Sequence, residues 1–418
     1  MLIEFSVSNF RSFREKQTFS MVAAPRLHRR DNVFTPDVVG EKLPDLLKVA
    51  AIYGPNASGK SNLLKALDII RTMTGMSPAD YVPVKPFRFD KKLVSAPSSF
   101  EYHFVNNKLR YQFNLSATAS RILEERLVSF PGGEAVTLYE RQYSEEYGEV
   151  YSFSDQLEGG SELHKVWTRL TNPTTLFLAQ AVANSSEEIN QLSFPLDWLR
   201  RGLFVVVNKM EELAMSCKNL VKENPIFAQE VANFLQEIDV PVTAIRTEDS
   251  SKVAVKNMLS LLYSEKDSKN KNNLTSTTTF THRTALGEAD FDYDEQSEGT
   301  KNLFGFFLPW GIIESGDSFF SVMGIDELDS SLHPEIVANL IERFLKRTKN
   351  TQLIFTTHDT HLMDTKLLRR DQIWLTERDM NGATQLRSVY EFEGRESEDV
   401  EKRYFEGRYR SLPNIRKG

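Results

Sequence analysis

The chain has 418 residues, a formal net charge of −7, 40% hydrophobic residues and a single cysteine, Cys217, as is typical of a globular protein of more than one domain. One cysteine excludes an internal disulfide and a multi-cysteine zinc site. Since no apolar run could span a bilayer and the start lacks a signal-peptide pattern, we expect a cytoplasmic protein that does not contact the membrane.

The first part of the chain predicts a mixed α/β structure. Residues 2–7 alternate apolar and polar side chains, which predicts a strand. Residues 46–53 predict a buried strand, and after a glycine-containing loop residues 61–73 have the apolar spacing of a helix. Residues 99–127 alternate again and predict further strands.

Residues 130–270 show mainly helical patterns, and strands alternating with helices return near residue 280. Such alternation predicts a largely parallel sheet with helices on its faces. The sequence therefore predicts an α/β domain interrupted by a helical subdomain. We expect one α/β lobe at residues 1–128, a mainly helical insertion at 129–272 and a second α/β lobe at 273–418.

A phosphate-binding loop is the strongest motif. Residues 54–61 match G-x-x-x-x-G-K-[ST] at every position, between a predicted strand and a predicted helix. The glycines let backbone N–H groups curl around a phosphate, Lys60 reaches the β- and γ-phosphates, and the Ser61 hydroxyl coordinates Mg²⁺. ATP and Mg²⁺ are thus the expected ligands. The candidate nucleotide-binding residues are Gly54, Pro55, Asn56, Ala57, Ser58, Gly59, Lys60, Ser61 and Asn62.

Two acids and a histidine follow later strands. Asp326 and Glu327 end an apolar run, where Asp326 can hold the magnesium ion and Glu327 can polarise the attacking water. His358 follows the next strand and can donate a hydrogen bond to the γ-phosphate. The alternatives are a solvated strand end for the two acids and an ordinary surface position for the histidine.

A second anion-binding segment precedes the helix predicted at residues 301–313. Ser297, Gly299 and Thr300 lie at its amino end, where backbone N–H groups favour a negative charge. The chain has only one complete phosphate loop, so this segment lacks a nucleotide of its own. We therefore expect it to complete the site of another copy, so that a two-fold pair encloses two ATP molecules, as a homodimer or within a higher homo-oligomer.

Together these motifs resemble the ABC-type ATPase heads of the SMC, RecF and OLD-like group, and within it the bacterial ABC-like AAA ATPases of the abortive-infection and anti-phage type. The residues that carry the resemblance are 9–13, 54–62, 297–300, 325–334, 356–359 and 404–409.

The resemblance implies a role for each matching segment. Lys60 and Ser61 correspond to Walker A, Asp326 and Glu327 to Walker B, and His358 to the switch histidine. By the same resemblance, residues 297–300 stand for the ABC signature and 329–332 for the D-loop. Glu298 replaces a glycine of the transporter signature, which disfavours a transporter subunit. Arg11 either approaches the phosphates or has a structural role.

The function implied by the resemblance is ATP hydrolysis in a head-to-tail dimer that controls a separate effector, a nuclease or a toxin. Only some 60 residues follow His358, too few for the nuclease domain of OLD-like proteins, so we expect the effector to be another protein. The alternatives are a RecF-like DNA-repair or DNA-clamping ATPase and a slow regulatory ATP switch. The acidic balance disfavours a broad nucleic-acid surface but leaves a local DNA contact open.

Overall fold

The computed structural model describes residues 1–75, 81–248, 277–314, 320–396, 398–409 and 411–412. The chain divides into two compact units. The first comprises Met1–Val205, Phe319–Glu327 and Phe344–Gly418, and the second comprises Val206–Ser318 and Leu328–Arg343. Each unit is therefore built from segments that are distant in the sequence.

The strands in chain order are β1 (Leu2–Ser8), β2 (Gln17–Ser20), β3 (Val33–Phe34), β4 (Leu46–Leu47), β5 (Val49–Tyr53), β6 (Ser98–Asn106), β7 (Leu109–Ala117), β8 (Ile122–Ser129), β9 (Val136–Ser144), β10 (Gly148–Phe153), β11 (Leu203–Val206), β12 (Val242–Glu248), β13 (Thr277–Thr284), β14 (Gly287–Asp292), β15 (Val322–Ile325), β16 (Gln352–Thr356), β17 (Ile373–Arg378) and β18 (Thr384–Ser388). The α-helices are α1 (Lys60–Leu67), α2 (Ile69–Gly75), α3 (Lys91–Val94), α4 (Gly160–Leu170), α5 (Phe177–Ala183), α6 (Asn190–Asp197), α7 (Met210–Glu223), α8 (Pro225–Glu237), α9 (Glu298–Glu314), α10 (Pro334–Arg347) and α11 (Val400–Phe405).

An antiparallel sheet of seven strands, in the order β10-β9-β8-β7-β6-β1-β2, lies in the first unit. Along β6 and β7 alternate side chains are buried, among them Phe100, Tyr102 and Phe113. Because successive side chains of a strand point to opposite faces, one face of the sheet is apolar and packs on the core. The alternation of residues 99–127 predicted these strands, and the prediction is confirmed.

A second, six-stranded sheet has the order β11-β15-β16-β5-β17-β18. Strands β15, β16, β5 and β17 are parallel neighbours, and β18 joins antiparallel at one edge. Every residue of β5, β15 and β16 is buried, as expected for parallel strands covered on both faces. The carboxyl ends of these strands meet at one edge, which is where open α/β sheets bind their ligands.

The side chain of Gln352, the first residue of β16, joins the two sheets. Its Oε1 accepts a hydrogen bond from the Leu2 amide at 2.7 Å. Its Nε2 donates to the carbonyl oxygens of Leu2 at 2.9 Å and Leu47 at 3.2 Å. Gln352 is fully buried, so water cannot replace these contacts. One side-chain amide therefore satisfies backbone groups of β1 in one sheet from β16 in the other.

The segment expected to be a helical insertion, residues 129–272, differs from the structure at its start. Strands β9 and β10 extend the antiparallel sheet, and the helices α4 to α8 follow between Gly160 and Glu237, with strand β11 among them and strand β12 after them. Both strands lie at the end of the sheet, and few of their side chains are buried. Their periodicity is therefore too weak to predict strands. Residues 249–272 lie outside the described part of the chain.

The second unit combines helices α7, α8 and α9 with the antiparallel sheet β12-β13-β14. Helices α9 and α7 approach closely at Gly305, where an added Cβ would lie 2.9 Å from the Met210 carbonyl oxygen. The expected second lobe, residues 273–418, is divided, because Leu328–Arg343 belong to this unit and Phe319–Glu327 to the first. None of the described helices is long and apolar enough to cross a membrane.

Replacing Gln352 by leucine should lower the melting temperature. The change leaves buried backbone polar groups of Leu2 and Leu47 without a partner. Each such group lowers the free energy of unfolding by ~1–3 kcal/mol. We expect a decrease of at least ~4 °C, measured by differential scanning calorimetry. Gln142 is exposed, so Gln142→Leu is the matched control and should have the melting temperature of the wild type. Equal melting temperatures of Gln352→Leu and the wild type would contradict the role of Gln352 in joining the two sheets.

Candidate functional site

The loop between β5 and α1 has the backbone of a phosphate cradle. Strand β5 ends at Tyr53 and α1 begins at Lys60. Between them Gly54, Ala57 and Gly59 have φ values of 151°, 61° and 108°. Positive φ values turn the chain so that successive N–H groups can converge on one anion. The amino end of α1 adds helical N–H groups that have no acceptor within the helix.

The Lys60 side chain is buried and lies against the loop. Its Nζ donates to the carbonyl oxygens of Gly54 at 2.9 Å and Pro55 at 3.3 Å. The ammonium group is therefore held beside the curved backbone, where its charge favours a phosphate group. Ser61 follows in the first turn of α1 and is partly exposed.

Hydroxyl and amide side chains from distant segments hold the loop in place. Thr384 Oγ1 donates to the Ser58 carbonyl oxygen at 2.7 Å and lies within hydrogen-bond distance of Ser12 Oγ, at 2.8 Å. Asn62 Nδ2 donates to the same Ser12 Oγ at 2.9 Å. Ser58 Oγ and Thr376 Oγ1 are 2.5 Å apart. The contacts of Ser12, Thr376 and Thr384 with the loop were not predicted, because a single Ser or Thr carries no local signal for a distant partner.

The two carboxylates are positioned by a threonine of the neighbouring strand. Thr356 Oγ1 donates to Asp326 Oδ1 at 2.7 Å and accepts a hydrogen bond from the Glu327 amide at 2.7 Å. Glu327 has a φ of 52° and an exposed side chain. This left-handed backbone turns the chain sharply after β15, so the two adjacent acids take different directions. Thr356, fully buried at the end of β16, lies in a segment that carries the resemblance, but its contacts with the two acids were not predicted.

His358 lies two residues beyond the end of β16. The preceding residue, Thr357, is fully buried, and its amide donates to the Ile52 carbonyl oxygen of β5 at 3.1 Å. His358 itself is exposed. Asp359 accepts hydrogen bonds from the amide and from Nδ1 of His361, both at 3.0 Å, and so begins a short helical turn. The histidine is thereby placed at the same sheet edge as the phosphate loop.

The segment predicted as a signature lies in the second unit, at the start of α9. Ser297 Oγ accepts a hydrogen bond from the Thr300 amide at 3.2 Å, as helix-capping residues do. Gly299 packs so closely on the Ser331 carbonyl oxygen that a Cβ would collide with it. Asn302 Nδ2 donates to the Ser330 carbonyl oxygen at 3.1 Å. The signature and the segment predicted as the D-loop therefore pack directly on each other.

The structure brings some of the predicted residues together. Lys60, Asp326, Glu327 and His358 all lie in the first unit, at the carboxyl ends of adjacent strands β5, β15 and β16. Residues 297–300 belong to the second unit. The phosphate loop, the paired acids and the histidine thus share one sheet edge, an arrangement suited to phosphoryl chemistry.

A family model described as "AAA domain, putative AbiEii toxin, Type IV TA system" matches residues 49–364. The match covers more than half of the chain, and the chain belongs to this family. It is thus an AAA-domain protein, and the resemblance to AAA proteins of the abortive-infection type that the motifs indicated is confirmed. No protein of curated function matches the sequence.

Two solved SMC heads are similar in structure. The SMC head domain from Thermotoga maritima is 14% identical over 93% of this chain and 98% of that chain, with a TM-score of 0.40. A structure titled as the SmcHead bound to the C-winged helix domain of ScpA is 11% identical over 93% of this chain and 97% of that chain, with a TM-score of 0.43.

Gly59→Ala should disturb the phosphate loop beyond the cost of its backbone conformation. A Cβ at this position would lie 2.8 Å from Ser12 Oγ and would also collide with Thr384. Gly132→Ala is the matched control, because its φ is also positive but no atom lies within 4 Å of the added Cβ. We expect the control to lose ~1 kcal/mol of unfolding free energy and Gly59→Ala to lose distinctly more, measured by urea denaturation. Equal losses would contradict the packing described for the loop.

Proposed function

As a consequence of this family membership, we propose that the chain binds ATP with Mg²⁺ and hydrolyses it. The observation that carries the proposal is the shared sheet edge, where the phosphate loop, two carboxylates and a histidine follow adjacent buried strands. The loop backbone and Lys60 supply donors and positive charge for the β- and γ-phosphates. Binding the polyphosphate is thus the first property that the geometry supports.

The oxygen donors at the site fit a magnesium ion. Ser61 offers a hydroxyl in the first turn of α1, and Asp326 offers a carboxylate whose orientation is fixed by Thr356. Hard oxygen ligands of this kind, few in number and accompanied by substrate phosphates, are what Mg²⁺ prefers. Bound there, magnesium would neutralise part of the phosphate charge.

Glu327 is the candidate base. Its exposed carboxylate is free of the hydrogen bond by which Thr356 holds Asp326, so it can accept the proton of a water that attacks the γ-phosphorus. The phosphorus–oxygen bond to ADP then breaks and the phosphate leaves. His358 is the candidate sensor, since an imidazole N–H at this edge can donate to the γ-phosphate before hydrolysis.

We further propose that two copies close head to tail around ATP. The signature residues Ser297, Gly299 and Thr300 form a capped helix start that can receive an anion, while a chain has one complete phosphate loop. A two-fold arrangement gives each phosphate loop the signature of the other copy, and both sites become equivalent. Closure then depends on nucleotide, and hydrolysis reopens the pair.

Two substitutions separate binding from hydrolysis. Lys60→Ala removes the ammonium group of the loop and should abolish ATP binding. Glu327→Gln keeps the shape but removes the proton acceptor, so it should bind ATP, lose at least ~100-fold in turnover and remain as a dimer. Equilibrium binding, phosphate release and analytical ultracentrifugation measure the three properties. A Glu327→Gln protein with wild-type turnover would contradict the role of the base.

At the level of the cell, we propose that the ATPase belongs to an anti-phage defence system and controls a separate nuclease or toxin. Its support is the family description, which names a toxin of a type IV toxin–antitoxin system, together with the motif resemblance to abortive-infection ATPases. In this scheme the nucleotide-closed dimer holds the effector, and infection changes the nucleotide state so that the effector is released or activated.

Phage plating on the native host tests this proposal. The wild-type gene should reduce plaque formation at least ~10-fold relative to the Lys60→Ala gene at equal protein level, because an effector controlled by ATP binding depends on this residue. Affinity purification before and during infection should recover a nuclease or toxin whose association changes. Equal plating would refute the defence role, and recovery of DNA with repair proteins would instead support the RecF-like alternative.

A further inference from the structure

The exposed His358 lies between two local backbone contacts. On one side, the Thr357 hydroxyl accepts a hydrogen bond from the Asp359 amide at 2.9 Å. On the other side, the Asp359 carboxylate accepts from the His361 amide at 3.0 Å and caps the helical turn Thr360–Met363. Because Thr357 is fully buried next to the end of β16, the chain before the histidine is fixed. The position of the histidine therefore depends further on the turn that follows it.

The C-terminal helix α11 holds this turn. Thr360 Oγ1, in the first residue of the turn, donates to Glu401 Oε1 of α11 at 2.6 Å. The helix and the turn lie against each other, and Leu362 and Met363 of the turn are buried, as is Val400 of the helix. A hydrogen bond from a hydroxyl to a carboxylate is charge-assisted and directional. It therefore fixes the beginning of the turn, two residues after the histidine.

Helix α11 is in turn attached to the parallel sheet. Arg403 of the helix donates to the Glu393 carbonyl oxygen at 2.8 Å. The chain before Glu393 is held by Arg370, which is 3% exposed and donates to the Phe392 carbonyl oxygen at 2.9 Å. Arg370 lies just before β17, and β17 pairs with β5, the strand that leads into the phosphate loop. The helix that holds the turn is therefore attached to the sheet that carries the nucleotide site.

Residues 404–409 carry part of the motif resemblance, but the site described above does not use them. Tyr404 and Tyr409 are buried, and the Tyr404 hydroxyl donates to the Ser411 carbonyl oxygen at 3.0 Å. The chain after α11 thus folds back onto the helix. These residues stabilise the helix that presents Glu401 to the turn after the histidine, which gives this motif a place near the nucleotide site.

We propose that Glu401 and Thr360 are positioning residues for His358, so that the C-terminal helix α11 takes part in ATP hydrolysis. The proposal rests on the proposed function and deepens it. The chain before the histidine is fixed at β16, and the hydrogen bond between Thr360 and Glu401 fixes the chain after it. Loss of this bond frees the turn, so the imidazole N–H meets the γ-phosphate less often in the productive geometry.

The test measures kcat and KM for ATP by phosphate release, and the dissociation constant of ADP, on the full chain with Mg²⁺. Thr360→Val keeps the shape of the side chain and removes the donor, while Glu401→Leu removes the acceptor. Each should lower kcat at least ~5-fold, which is within the contribution of one hydrogen bond to a charged group. The ADP affinity should stay unchanged, because ADP lacks the γ-phosphate that the histidine contacts.

Further variants separate positioning from support of the fold. Thr360→Ser keeps the donor and Glu401→Gln keeps an acceptor, so both should retain most of the wild-type kcat. In a His358→Ala protein, Thr360→Val should lower the residual kcat no further, since the turn acts through the histidine. Glu406→Leu is the matched control and should leave kcat unchanged, because Glu406 is exposed and its carboxylate pairs with Arg408.

An unchanged kcat in either Thr360→Val or Glu401→Leu overturns the positioning role and leaves the proposed ATPase intact. A further fall of kcat in the His358→Ala background also overturns it. So does a weaker ADP affinity in both variants, since a general loss of structure would then explain the lower kcat. A wild-type protein that does not hydrolyse ATP overturns the proposed function and the positioning role together.

Discussion

The parallel pairing of β15, β16 and β5 is the constraint on which the site depends. Its register sets Ile325 beside Phe355 and Thr356 beside Ile52, so three strands end at nearly the same level. The candidate functional groups all follow these strand ends. The phosphate loop follows β5, the two acids follow β15 and the histidine follows β16. A shift of one residue in either pairing would separate these groups and turn buried side chains to the wrong face.

Polar side chains, rather than apolar packing, set the finer geometry at that edge. The Thr356 hydroxyl accepts from one backbone amide and donates its single proton to one carboxylate. The hydroxyls of Thr384 and Ser12 play the same part on the other side of the loop. Buried hydroxyl contacts of this kind are directional, and they give a flexible glycine loop a single conformation.

Local pattern was sufficient for a large part of the fold and the site. The strand, loop and helix around Lys60 were predictable because their signals are contiguous, and so were the strands of residues 99–127. The strands at 136–153 were not predicted, since at the end of the sheet few of their side chains are buried. The contacts of Thr356, Thr376 and Thr384 depend on segments up to 326 positions apart, which no local pattern contains.

The hydrogen bond between Thr384 and Ser58 bears on the order of events during protein synthesis. The two residues are 326 positions apart, so a ribosome makes the phosphate loop long before the residue that holds it in place. The hydrogen bonds between Gln352 and Leu2 join residues 350 positions apart, a still greater interval. The phosphate loop of a nascent chain therefore lacks this contact until the later segment has been synthesised and has folded onto it.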